Sequence, residues 1–165
     1  MFHFGFNNIG IFDKKYERSI LDIQGTIELF GKADFGHGSR LVVCKNGVLI
    51  LGENFVNTAK GTIVCDKHIN IGKNLLMSWG TLIMDTDWHS VQDTLTGVIC
   101  PSVKEIIIGE NVWMGMHSVI LKGTAIADGC IIGANAVCCN KYMETNCLLA
   151  GTPAEVRKHN ITKQS

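Results

Sequence analysis

From Ile108 onward the chain repeats itself every six residues, as IGENVW, MGMHSV, ILKGTA, IADGCI, IGANAV and then CCNK. The first positions are Ile108, Met114, Ile120, Ile126, Ile132 and Cys138, all apolar. The fifth positions are Val112, Ser118, Thr124, Cys130 and Ala136, all small or β-branched. The same frame runs upstream as CDKHIN, IGKNLL, MSWGTL and IMDTDW, with first positions Cys65, Ile71, Met77 and Ile83. LGENFV at 51–56 adds one more hexad, whereas residues 20–50 keep apolar alternation and glycines in only a loose frame.

Two inward residues in every six make a short flat strand ending in a bend, and three such strands close one triangular coil. A narrow prism of this kind takes a long aliphatic at one position and a small residue at the other. Stacked coils satisfy one another's backbone hydrogen bonds and bury a column that no single repeat buries alone. The spacing therefore predicts an all-β fold, a parallel β-helix. Glycine at 18 and proline at 2 fit many tight bends between short strands. No 3.6-residue apolar stripe survives the glycines before residue 152.

The frame breaks once. Ile83 to Ile108 is 25 residues, not a multiple of six, and the break begins in IMDTDWHS at 83–90. Asp87 falls where a small residue belongs and His89 where an aliphatic belongs. A carboxylate and an imidazole in a narrow apolar prism are costly unless paired. The coil is expected to open here, with a loop over about 90–105 that carries Pro101. The expected organisation is an N-terminal segment of unknown role at 1–19, a β-helix at 20–152, and a C-terminal tail at 153–165. Gly151 and Pro153 mark a turn there, and a short helix is expected after it.

Composition removes several function classes. Lysine plus arginine equal aspartate plus glutamate, 15 against 15, so nothing favours nucleic acid or an anionic membrane. No apolar run reaches the roughly 18 residues of a membrane span, and the first residues lack the pattern of a signal peptide. Seven cysteines without a C-x-x-C pair suggest free thiols packed as small hydrophobes, in a reducing, cytoplasmic setting.

The stretches MDTDWHS, IGENVWMGMHSVILKGTAIADGCIIGANAV and NCLLAGTPAEVRK resemble the hexapeptide-repeat acyltransferases. Among these they are most similar to the branch of maltose, galactoside and polysaccharide O-acetyltransferases. Repeat and tail together cover about two-thirds of the chain. The resemblance implies a left-handed winding, a homotrimer and acetyl-CoA as acyl donor. It further implies a small-molecule or glycan acceptor whose hydroxyl takes the acetyl group. In that family the pantetheine arm lies in a groove between adjacent prisms. Trp113, Gly115 and Ala134 match the groove positions, and Lys141, Arg157 and Lys158 are candidates for the nucleotide phosphates. Met116 stands where a serine is often found.

The family's catalytic histidine corresponds to His89. A neutral imidazole can take the proton of a sugar hydroxyl as it attacks the thioester carbonyl, and a carboxylate beside it would fix its tautomer. Asp85 and Asp87 are both candidates for that carboxylate, with Asp87 preferred. No metal is expected for the chemistry: His68, His89 and His117 lack the H-x-x-x-x-H spacing of the gamma-class carbonic anhydrases. Two readings compete with O-acetylation, an N-acyltransferase on an amino sugar and a catalytically silent β-helix scaffold.

Overall fold

The computed structural model describes residues 1–6, 10–12 and 16–164. It is a parallel β-solenoid with three faces, an 8-stranded sheet and two 6-stranded sheets, each strand hydrogen-bonded to the strand one coil away. The first face stacks Ala33–Phe35, Phe55–Asn57, Leu76–Met77, Trp113–Met114, Ile131–Ile132 and Leu148–Gly151. The second face includes Leu82–Met84 and Val119–Leu121, and the third includes His68–Ile71 and Ile106–Ile108.

The hexad frame sets the core. Met77, Met114 and Ile132 are in register on the first face, Ile63, Ile83 and Ile120 on the second, and Ile71, Ile108 and Ile126 on the third. All are buried, as are the fifth-position residues Val112, Ser118, Thr124, Cys130 and Ala136. A hydroxyl is tolerated there because it bonds back to the turn before it. Ser118 Oγ donates to the Gly115 carbonyl at 2.7 Å, and Thr124 Oγ1 to the Leu121 carbonyl at 2.6 Å. Ser39 and Thr81 do the same with the carbonyls of Gly36 and Ser78.

Corners need left-handed backbone, and asparagine supplies it with little strain. Asn54, Asn74 and Asn111 have φ of 56°, 60° and 57° at one corner of successive coils. They also form a ladder, Asn54 Nδ2 donating to Asn74 Oδ1 at 3.1 Å and Asn74 Nδ2 to Asn111 Oδ1 at 2.9 Å. The G-x-N of IGENVW is thus a corner signal. His117, with φ 56°, holds the equivalent place at another corner, and its exposed side chain follows from that.

Two expectations need correction. Residues Phe2–Phe4 already belong to the first face, paired with Ala33–Phe35, so part of the N-terminal segment is solenoid. The tail forms no helix either: Ala154–Lys158 is a strand that turns back antiparallel on Leu148–Gly151. Physically, the last coil leaves an unpaired strand edge, and the tail covers it. AEVRK alternates, with Ala154 buried and Val156 half-buried while Glu155 and Arg157 are exposed. That period of two is a strand signal. No helix among the described residues is long and apolar enough to cross a membrane.

Candidate active site

The chain leaves the prism directly after Leu82–Met84 and re-enters at Ile106–Ile108, so the excursion starts a few residues earlier than the expected loop. A small antiparallel pair, Val91–Gln92 with Ile99–Cys100, stiffens the arm, and Thr86 bridges Val103 at its base. The arm carries an apolar face to solvent through Trp88, Val91, Leu95, Val98 and Ile99.

The three acidic and imidazole side chains of the motif go different ways. Asp85 is fully buried, and its carboxylate reaches back one coil. It accepts the N–H groups of Asp66 at 2.7 Å and of Lys67 and His68 at 2.9 Å each. Asp87 is exposed and ion-paired with Lys122, whose ammonium also donates to the Pro101 carbonyl at 2.7 Å. One lysine thereby ties both ends of the arm to the second face. Lys122 carried no signal in the sequence beyond an outward hexad position.

Trp88, between Asp87 and His89, has φ 61°. That conformation is a genuine outlier for a bulky side chain, worth roughly 1–3 kcal/mol of local strain. It turns the chain within the arm, and His89 follows, exposed and hydrogen-bonded to none of the described residues. Neither Asp85 nor Asp87 is paired with His89, because each carboxylate is engaged elsewhere.

The candidate donor residues divide into two places. Trp113, Gly115 and Ala134 line one largely apolar groove of about 430 Å³ on the first face, with Ser78, Trp79, Met116 and Gly133. The Trp113 indole N–H donates to Ser78 Oγ at 3.2 Å, which fixes the ring against the groove floor. Coil stacking alone demands glycine at 115, where a Cβ would lie 2.7 Å from the Ala134 nitrogen. Arg157 and Lys158 extend from this same face, on the strand that pairs with Leu148–Gly151, and Arg157 bonds Glu155 at 3.2 Å. Lys141 is elsewhere: it lines a hollow of about 490 Å³ with Lys67, Lys104 and Lys122, against the third face. The structure thus brings Trp113, Gly115 and Ala134 together and sets Lys141 apart from Arg157 and Lys158.

The histidines His68, His89 and His117 do not assemble into a ligand set. His68 lies 3.7 Å from Glu105, and His117 occupies a corner beside Gly80. Among the described residues, the group of three metal-ligating side chains within reach of one another is Glu144, Cys147 and His159. The sequence reading missed it, since its members belong to the last corner and the misread tail.

Residues 105–140 match the family model described as bacterial transferase hexapeptide (six repeats). The chain is 28% identical over 145 residues to a putative lipopolysaccharide biosynthesis O-acetyl transferase, WbbJ, of Escherichia coli, covering 82% of this chain and 74% of that one. It is 35% identical over 106 residues to the Escherichia coli galactoside O-acetyltransferase, covering 64% of this chain and 51% of the relative's length. The chain therefore spans about half of that enzyme. Among solved structures, a galactoside acetyltransferase in complex with coenzyme A aligns with a TM-score of 0.57 at 26% identity, over 81% of this chain and 64% of that one. The polysialic acid O-acetyltransferase OatWY shares the fold, with a TM-score of 0.59 at 22% identity over 100% of this chain and 92% of its own.

Proposed function

We propose that the chain is a hexapeptide-repeat transferase, an acetyl-CoA-dependent O-acetyltransferase acting on a sugar or polysaccharide hydroxyl. The observation that carries the reading is the first-face groove. Trp113, Gly115 and Ala134 converge on it, and it is apolar enough for a pantetheine arm. A relative of the same fold at 26% identity holds coenzyme A. Arg157 and Lys158 stand at the C-terminal end of this face, where they would meet the nucleotide phosphates.

His89 is the general base. Its freedom from hydrogen bonds to the described residues leaves both ring nitrogens available, one for the acceptor hydroxyl and one for a partner. Lys122, by holding Asp87 and Pro101, positions the arm that presents it. The apolar side of that arm, Leu95 above all at 95% exposed, is the surface a neighbouring subunit of a homotrimer would cover. Free cysteines suit a cytoplasmic setting.

The test is release of free CoA from acetyl-CoA across a panel of neutral sugars, nucleotide sugars, oligosaccharides and amino sugars. Product analysis must find an ester. An amide on amino sugars alone would move the assignment to N-acylation, and no turnover with any acceptor while acetyl-CoA fails to bind would leave only a scaffold.

A further inference from the structure

Cys147, Glu144 and His159 offer a sulfur, a carboxylate oxygen and an imidazole nitrogen that all lie within 4.8 Å of one another. They come from two differently anchored pieces of chain, the last corner and the tail. Cys147 is a fully buried residue at the first-face entry of the last coil, stacked on Cys130 through the Ile131–Leu148 register. Glu144 lies in the corner before it, and its carbonyl accepts the Cys130 thiol at 3.3 Å. His159 follows Ala154–Lys158, the strand that closes the solenoid's open edge. Ile161 N–H, bonded to the Asn146 carbonyl at 2.9 Å, holds the tail beyond it over the same corner.

The spacing suits a metal ion. His159 Nδ1 is 2.6 Å from Glu144 Oε1 and 3.8 Å from Cys147 Sγ. Zinc takes nitrogen, oxygen and thiolate at ~2.0–2.3 Å, which in a tetrahedron separates ligand atoms by roughly 3.3–3.6 Å. The set is reached by opening the Glu144–His159 contact by less than about 1 Å while the Glu144 carboxylate swings to the same separation from the Cys147 sulfur, and the Glu144 and His159 side chains are both more than half exposed and free to move. Mixed sulfur, imidazole and carboxylate ligation favours a borderline-soft cation over calcium or magnesium.

We infer that Glu144, Cys147 and His159 form a zinc site that fastens the C-terminal tail to the last coil, with the fourth position left to water. Zinc binding converts the Cys147 thiol to thiolate, and its proton leaves to solvent. The site is separate from the His89 arm and takes no part in acyl transfer. Its role is closure: a solenoid end without a cap exposes its core, and the metal clamps the strand that covers that end.

The experiment uses the full chain, stripped with a chelator and dialysed, and reads binding rather than turnover. Zinc is titrated in competition with a chromophoric chelator, and cobalt in its place reports thiolate ligation by an ultraviolet charge-transfer band. We expect one zinc per chain, a cobalt–thiolate band, and a thermal midpoint that rises with zinc. Glu144→Gln and His159→Gln, both surface changes, should each weaken zinc at least tenfold and abolish the zinc-dependent shift. Cys147→Ser, a small residue in a small site, should lose the band, while Cys139→Ser, an exposed thiol, should keep it. Equal zinc affinity in His159→Gln and wild type would overturn the inference. So would no binding by wild type, leaving a hydrogen-bonded His159–Glu144 pair over a buried thiol. A band that survives in Cys147→Ser would overturn it as well.

Discussion

The Asp85 carboxylate accepts the His68 N–H at 2.9 Å, joining the first carboxylate of the broken hexad motif to the corner one coil below. The same carboxylate also takes the N–H groups of Asp66 and Lys67. A buried carboxylate beside a narrow core is acceptable because the corner backbone neutralises it. Asp85→Ala leaves those donors without an acceptor, at roughly 1–3 kcal/mol for each that water cannot reach. The urea midpoint should fall by an amount matching at least one such loss. An unchanged midpoint would mean the corner does not depend on Asp85.

Lys122 is expected to govern the arm and not the fold. Lys122→Met removes both the Asp87 ion pair and the bond to the Pro101 carbonyl. An ion pair with one half-exposed partner is worth at most about 1 kcal/mol, so the melting temperature should move little. Amide exchange over residues 86–103, by contrast, should quicken several-fold, because the base of the arm loses its tie. Unchanged exchange there would show that the Thr86–Val103 bridge holds the arm unaided.

In the hexads from Ile108 onward the fifth position holds a small or β-branched buried residue. Ser118→Leu places a long side chain where a fully buried serine fills a small site and bonds the Gly115 carbonyl. Overpacking of this kind costs ~1–3 kcal/mol, and losing the turn hydroxyl adds to it. Glu110→Gln, which only releases an exposed pair with Lys73, should be nearly silent. Thermal unfolding of the two variants side by side checks the hexad frame. Equal midpoints would refute it.

The fold was legible because burial repeats with the coil: Ile108, Met114 and Ile120 declare one face after another, six residues apart. The tail was not, since a proline after a glycine reads as a helix start, whereas the unpaired edge of Leu148–Gly151 is a tertiary demand that no local window contains. The groove was partly legible, through Trp113, Gly115 and Ala134. The aspartates were not. Asp85 and Asp87 are two residues apart, yet the capture of Asp85 by a neighbouring coil and of Asp87 by Lys122 gives them unrelated surroundings. Sequence spacing cannot report a partner 17 to 19 residues away on another coil.

Thiol chemistry should follow burial. Burial first, then the Asp85 carboxylate, pushes the Cys65 thiol up to about 12, and burial with neighbouring Cys139 and Cys130 does the same for Cys138. An aromatic disulfide reagent near neutral pH should label Cys100 and Cys139, which are exposed, and spare Cys65 and Cys138 until the protein unfolds. The linkage has a definite sign. The unfolded chain releases these protons from about pH 9 and the folded chain holds them, so the stability they contribute is present below that point and is lost as pH rises toward 12. Cys138→Ala should flatten the alkaline fall in the urea midpoint. An equally steep fall in the variant would assign it to other groups.

His89→Ala removes the proposed proton acceptor and nothing that the fold uses, since the imidazole is exposed and bonded to no described residue. The first-face groove is built from Trp113, Gly115 and Ala134 and should keep its shape. Turnover on a verified acceptor should therefore fall by roughly 10²–10⁴, the usual worth of a positioned base, while acetyl-CoA affinity holds. Asp87→Asn should cost less, through the arm it shares with Lys122. Asp85→Asn should act mainly on stability, because its carboxylate is spent on the coil corner. Near-normal turnover of His89→Ala, with the fold verified by thermal unfolding, would return the base to another side chain and leave the arm as a covering element alone.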